Sequence, residues 1–409
     1  MRREVQAVAQ GALGRLLPRW QARSRGVDGL LRAIQQLQGV RLPAGQLESL
    51  VLPFRVPDYS PAFLDELCAS GEVLWVGAGS LGDDDGWVRL YLADEASVLR
   101  QAAGEEELSA LALQVRETLS DGGGLFFRQI FDRVAPPADE ALLEALWELV
   151  WAGQATNDTL APLRIRLWGA PRRTRSGGLR SRRGLRLPTR QGPPAGAGRW
   201  SLAPQAGEPT RARLAWAEQL LDRHGVLTRG AVEAEGIPGG FAAVYPVLKA
   251  LEEAGRCRRG YFVEGLGAAQ FALPGAVERL RSAQEEPKAL VLAASDPANP
   301  YGAALPWPER GPEDPGHRPS RRAGAVVVLV GGEPAIFLER GLKSALSLTA
   351  ESSALQAGAT ALVGAAGEGR LGRFLLRRVD GQPAAGTPLG ESLQSAGLQA
   401  TWQGLRWRG

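Results

Sequence analysis

The sequence predicts an α+β chain in which winged-helix domains stand in tandem ahead of a C-terminal β-barrel-like module. Three observations carry that prediction. A helix–turn–helix–hairpin pattern recurs, each copy closes on apolar β-type runs, and beyond residue 288 the texture changes to strands rich in Val, Leu and Ala. The pattern is clearest over residues 228–274, where Thr228 can cap a short helix through Glu235. The run Gly236-Ile237-Pro238-Gly239-Gly240 makes a turn, and Phe241, Val244, Val247, Leu248 and Leu251 then recur at helical spacing. A hairpin follows, from Cys257-Arg258-Arg259-Gly260-Tyr261-Phe262-Val263 to Gln270-Phe271-Ala272-Leu273. In helix-turn-helix proteins the second helix docks in a DNA groove, and Arg256, Arg258 and Arg259 sit where the hairpin meets that helix.

The chain is 409 residues long, enough for about two to four domains of ordinary size. Its 48 basic residues exceed its 44 acidic ones, for a net charge of +4, and nearly all the positive charge is arginine, which suits bidentate phosphate contacts. A GC-rich genome would produce the same arginine bias without any selection for binding. Cys68 and Cys257 match neither a zinc spacing nor a disulfide framework, and a reducing, cytoplasmic setting fits them. With His224 and His317 as the 2 histidines, a His-based metal site or a Ser-His-Asp triad has almost no material. No apolar run reaches the roughly 18 residues of a membrane helix, and Met1-Arg2-Arg3 is followed by polar residues rather than a signal-peptide core.

Taken in order, residues 1–26 read as a remnant of something larger, a helix broken before Pro18 and lacking its own core. Residues 27–97 form the first winged helix, with Leu30, Leu31, Ile34 and Leu37 on one helix and Ser60-Pro61 opening another. Its wing is Val73-Leu74-Trp75-Val76 and Trp87-Val88-Arg89-Leu90-Tyr91-Leu92 around the acidic turn Asp83-Asp84-Asp85, which favours a protein contact over a phosphate and lacks the other ligands of a calcium loop. Residues 104–168 repeat the pattern, with Arg164-Ile165-Arg166-Leu167-Trp168 expected as the wing. Residues 169–200 read as an Arg/Gly/Pro-rich flexible linker, and 164–199 contain no Asp or Glu. Within it Arg172, Arg173, Arg175, Arg180, Arg182 and Arg183 are candidate phosphate contacts by counterion release. The third winged helix covers 201–284, and 288–409 the β-barrel-like module, with Val326 to Val330 and Ala335 to Leu338 as a hairpin about Gly331-Gly332.

Several long strings resemble the C-terminal region of the bacterial Lhr (large helicase-related) family: LDELCASGEVLWVGAG (64–79), TNDTLAPLR (156–164), GRWSL (198–202), VYPVLKALEEAGRCRRGYFVEGLGAAQFALPGAVERL (244–280) and LVLAASDPANPYGAALPWP (290–308). The resemblance implies an ATP-dependent helicase that tracks 3′ to 5′ on single-stranded DNA, unwinds duplexes and RNA:DNA hybrids, and serves DNA repair. It also implies a C-terminal region of tandem winged helices and a β-barrel, similar in architecture to AlkZ-type DNA glycosylases. The departure is that this chain has no G-x-x-x-x-G-K-[ST] phosphate loop, so the family's ATP and Mg would belong to motor domains outside it, and no cofactor is expected within it.

The expected function is therefore that of a nucleic-acid-binding module, with single-stranded DNA or a DNA/RNA hybrid as partner, an Lhr helicase core encoded upstream as a second partner, and Tyr261 and Trp307 as candidate stacking residues. An alternative is a base-excising glycosylase acting on uracil or a damaged base, with Asp296, in the rigid turn beside Asn299 and Tyr301, as the catalytic candidate. The plainer reading of Asp296 is an ordinary turn-forming residue. Gln36-Leu37-Gln38 resembles a glutamine pair of AlkZ-type enzymes but reads more simply as the polar face at a helix end. A third possibility is a homo-oligomerisation piece using the acidic wing.

Overall fold

The computed structural model describes residues 6–21, 23–101, 107–169, 192–267, 269–282, 288–309 and 318–408. They form two compact units, one of Met1–Tyr59 with Glu208–Gly409, the other Ser60–Gly207. The stretch read as the first winged helix is thus shared between them, its early helices in the first unit and its wing in the second.

In the second unit Ser60 caps the helix Pro61–Ala69, accepting from the Ala62 amide with Pro61 at the start, as the sequence required. The strands Val73–Ser80 and Gly86–Leu92 pair antiparallel around the acidic turn. Helices Ala110–Ser120, Phe127–Val134 and Asp139–Trp151 follow, the last burying Leu142, Leu146, Leu149 and Val150. The core is aromatic. Trp147 packs on Trp151 at 5.2 Å, edge-on to Trp200 at 6.1 Å and tilted against Trp75 at 6.4 Å. Gly77 is required there, because a Cβ would lie 2.0 Å from the Val150 carbonyl.

Two expectations are corrected here. Residues 164–168 are not a strand but lie in the helix Ala161–Trp168, where Pro162 fits the first turn and Arg and Leu are good helix formers. The wing strands are instead Ala155–Asn157 and Arg199–Leu202, joined with Leu125–Phe126 in one three-stranded sheet. Arg199 and Trp200, placed in the linker, therefore belong to this sheet, and the arginine-rich stretch lies in sequence between two of its strands.

In the first unit the third winged helix is built as read. Thr228 caps Arg229–Ala234 by accepting from the Ala231 amide, and Gly240–Glu253 is the second helix. Val226–Leu227, Gln270–Ala272 and Arg258–Gly260 form the small sheet, with Pro209–His224 ahead of it. The N-terminal stretch does not lack a core. Helix Gly11–Trp20 runs through Pro18 and buries Leu13, Leu16 and Leu17 in a cluster shared with Leu220, Val244, Leu248, Phe271, Leu292, Val327 and Leu329. Gly14 permits that approach, since a Cβ there would meet the Gly332 carbonyl at 2.0 Å.

Among the described residues the C-terminal module carries an open six-stranded sheet, and no closed barrel is found. Its six strands run Ala289–Ala293, Val326–Val330, Glu333–Leu338, Ser344–Ser347, Arg378–Val379 and Gln382–Pro383 in spatial order, and among the described residues no pairing closes the first on the last. Helix Ser352–Gly367 packs on its first strands. Residues 373–379 divide between two sheets: Arg378–Val379 belongs to the six-stranded one, whereas Phe374–Leu376 joins Gly404–Trp407 and Gln399–Thr401 in a separate three-stranded sheet. No helix among the described residues is long and apolar enough to cross a membrane.

Candidate nucleic-acid interface

Arg172, Arg173, Arg175, Arg180, Arg182 and Arg183 lie outside the described residues, but both feet of their segment are described. Arg164 Nη1 is 2.6 Å from Asp65 Oδ2, and Arg199 Nε is 2.7 Å from Asp158 Oδ2, so each foot is fixed by an ion pair within the second unit. Arg166 pairs with Glu144 at 3.1 Å, donates to the Asp83 carbonyl at 2.8 Å and lies over the Trp147 ring at 5.2 Å. These cations near the insertion are already engaged by carboxylates, a carbonyl and a ring.

On the wing of the third winged helix the arginine trio is not equivalent. Arg256 is ion-paired with Glu218, and Arg259 lies 3.4 Å from Glu252 and donates to Tyr245 Oη at 3.1 Å. Arg258 is exposed on its strand and has no side-chain partner among the described residues. Tyr261 is 44% exposed, its hydroxyl accepting from the Gly265 amide at 2.7 Å. Trp307 packs on Tyr301 at 6.1 Å and edge-on to Phe337 at 5.7 Å, so its ring faces are largely used inside the fold.

Asp296 sits elsewhere, at the centre of a buried ionic cluster. It follows the strand Ala289–Ala293, and its Oδ1 accepts from the Ala298 amide at 2.7 Å, closing the Asp-Pro turn. Arg55 binds both oxygens, Nη2 to Oδ1 at 2.7 Å and Nη1 to Oδ2 at 2.9 Å, with both side chains at 0% exposure. Arg55 also donates to Gln21 and to the Val51 carbonyl. Arg321 donates to the carbonyls of Ser295, Asp296 and Asn299, and burial pulls its guanidinium down to about 10 while Asp296 and Glu235 resist. Asn299 donates to the Ala294 and Tyr301 carbonyls, and the Tyr301 hydroxyl donates to Glu333 at 2.9 Å. Burial beside Glu333 pushes that hydroxyl's pKa up.

A second buried network joins the third winged helix to Gly26–Leu37. Arg223 pairs with Glu235 and donates to the carbonyls of Gln36 and Gln38, and His224 Nε2 is 2.8 Å from Glu235. Burial alone would raise the Glu235 carboxyl, but Arg223 and His224 outweigh it and hold the group at about 2. Gln36 and Gln38 are buried at 7% and 1%, so the glutamine pair is not a solvent-facing polar edge. Among the described residues no His, Cys, Asp and Glu cluster could hold a metal ion.

Sequence reasoning missed Arg55, Arg223 and Arg321. The signal was available in Arg55, a lone cation in the apolar run Leu50-Val51-Leu52-Pro53-Phe54-Arg55-Val56, since a charge carried into a core requires a partner.

Winged helices with mixed α+β structure around them place the molecule among winged-helix proteins. Models of the winged-helix domain of the large helicase-related protein match residues 8–93 and 206–291. Over those residues the chain carries winged-helix domains of the large helicase-related family, and it resembles the C-terminal region of that family's proteins. It is 47% identical over its whole length to a Mycolicibacterium smegmatis protein named "Lhr helicase/ probable uracil glycosylase", and 41% identical over 93% of its length to the Escherichia coli "Lhr helicase/uracil glycosylase". It spans only 29% and 26% of those two proteins. The solved DNA glycosylase AlkZ of Streptomyces sahachiroi shares the fold, with a TM-score of 0.52 at 14% identity, covering 91% of this chain and 100% of AlkZ.

Proposed function

We propose that this chain is a nucleic-acid-binding region of an Lhr-type protein, gripping the phosphates of a single strand or hybrid mainly through the arginine-rich insertion. One observation carries the reading: residues 164–199 hold no carboxylate, and the described ends of that stretch are anchored by ion pairs within one compact unit. Counterion release from such a stretch gives affinity with little sequence choice. ATP hydrolysis and unwinding would reside in residues outside this sequence, which contains no phosphate loop. The test replaces Arg172, Arg173, Arg175, Arg180, Arg182 and Arg183 with Gln and measures binding to labelled single-stranded DNA. A loss of at least about tenfold supports the reading, and unchanged affinity refutes it.

A second reading is base excision, favoured by the AlkZ-like fold and by Asp296. Arg55 sets its guanidinium against both Asp296 oxygens, and a carboxylate is the group that stabilises an oxocarbenium-like sugar while water adds at C1′ and the base departs. In the state described, Asp296 is sealed and both its oxygens are bound, so this chemistry requires the Arg55 contact to open. Incubation with uracil-containing single strands tests it. Abasic product that disappears in a folded Asp296→Asn variant supports excision, and product that persists in that variant, or none from the parent chain, overturns it.

A further inference from the structure

The small sheet Phe374–Leu376, Gly404–Trp407 and Gln399–Thr401 carries a charged face that neither the ionic networks nor the winged helices use. Leu375 is opposite Arg406 and Phe374 opposite Trp407, and side chains alternate between faces along each strand. Phe374, Leu376 and Leu405 are buried, so the alternation turns Arg373 and Arg377 outward with Arg406 and Arg408. All of these arginines are exposed. None has a side-chain hydrogen bond or ion pair among the described residues, and neither 370–379 nor 397–408 contains an Asp or Glu. Arg373, Arg406 and Arg408 line a cleft of about 440 Å³ with Phe374, Leu375 and Trp407. At the turn of the adjoining hairpin, between the paired Thr401 and Gly404, Trp402 projects with 92% of its surface exposed.

An indole this exposed gains nothing from the fold, and guanidiniums without carboxylates repel one another, so both features are costs in the free chain that a polyanion with unpaired rings would remove. We propose that this sheet is a second contact for single-stranded nucleic acid. Arg373, Arg406 and Arg408 hold successive phosphates, and Trp402 stacks on an unpaired base. The proposal rests on the nucleic-acid reading above and adds a site remote in sequence from the arginine-rich insertion. Charge complementarity selects the occupant: a cation-only cleft beside a free aromatic ring is the chemistry of single-strand recognition, with backbone charge met by Arg and the base by a π-face.

The test uses the full chain and a labelled single-stranded oligonucleotide, with fluorescence anisotropy across a salt series and a thermal melt of each variant. The substituted side chains are exposed, so each variant is expected to keep the parent melting temperature. Arg373→Gln/Arg406→Gln/Arg408→Gln is expected to lose about tenfold in affinity and about 2 units of the log–log salt slope, since each single-strand phosphate contact contributes about 0.7. Trp402→Ala is expected to lose about tenfold with the salt slope unchanged, because stacking releases no counterions. It should also leave duplex affinity unaltered. A parent chain that binds and a triple variant that matches it in both affinity and slope overturn this site alone, whereas a parent chain that fails to bind overturns the broader reading. A Trp402→Ala variant that binds like the parent removes the stacking role.

Discussion

Arg55 grips both carboxylate oxygens of Asp296 from 241 residues away in sequence, at 2.7 and 2.9 Å, and neither side chain reaches solvent. The pair ties the helical turn Leu52–Arg55 to the strand end at Ala293, so the N-terminal stretch is stapled to the C-terminal sheet within one unit. Removing one partner leaves the other charged and buried. Arg55→Ala is therefore expected to cost about 3–5 kcal/mol in urea unfolding. A loss below about 1 kcal/mol would show that water reaches the site and that Asp296 is not sealed.

The Glu235 cluster makes stability depend on acid. A carboxyl held at about 2 in the fold, against an ordinary value of 4.5, contributes stability that is full above pH 4.5 and is lost as pH falls toward 2. The contribution is on the order of 3 kcal/mol. Urea midpoints measured from pH 6 down to about 3 should fall for the parent chain and fall less steeply for Glu235→Gln, which starts less stable. Parallel profiles would remove Glu235 as the source.

Close packing of the wing on the long helix of the second unit gives a steric prediction. With the Gly77 Cβ position 2.0 Å from a backbone carbonyl, Gly77→Ala must push the hairpin from Asp139–Trp151, at a cost of about 1–3 kcal/mol. Quenching of the Trp75, Trp147 and Trp200 cluster by acrylamide should rise with it. An unchanged melting temperature would contradict the packing.

The wing arginines should separate in a binding assay. Arg258, which has no side-chain partner among the described residues, should lower DNA affinity two- to threefold when changed to Ala, on the scale of about one phosphate contact. Arg256→Ala should do less, because its guanidinium already faces Glu218. The reverse order would show that the Glu218 pair opens on binding.

Much of this fold was legible because its signals are local. The Ser60 and Thr228 caps, the turn 236–240 and the apolar spacing of Gly240–Glu253 depend on neighbours within a few residues. What failed was non-local. Arg199–Leu202 pairs with Ala155–Asn157 across the insertion, and nothing in either string announces the other. Residues 164–168 alternate like a strand, but over five residues alternation and a short helix cannot be told apart, and Pro162 decided for helix. The open edges of the C-terminal sheet depend on which strands meet, which composition does not encode. At the site, the turn chemistry of Asp296 could be read from Asp-Pro, yet its partner Arg55 could not, because an ion pair between distant segments has no spacing.

The most direct test of the central claim is the affinity of the chain for single-stranded DNA as salt rises from about 50 to 200 mM, without ATP. The account predicts that log K falls linearly with log[salt], with a slope of about −0.7 for each phosphate contacted, and that the slope flattens when the insertion's arginines become Gln. Affinity that holds constant across that range would contradict it.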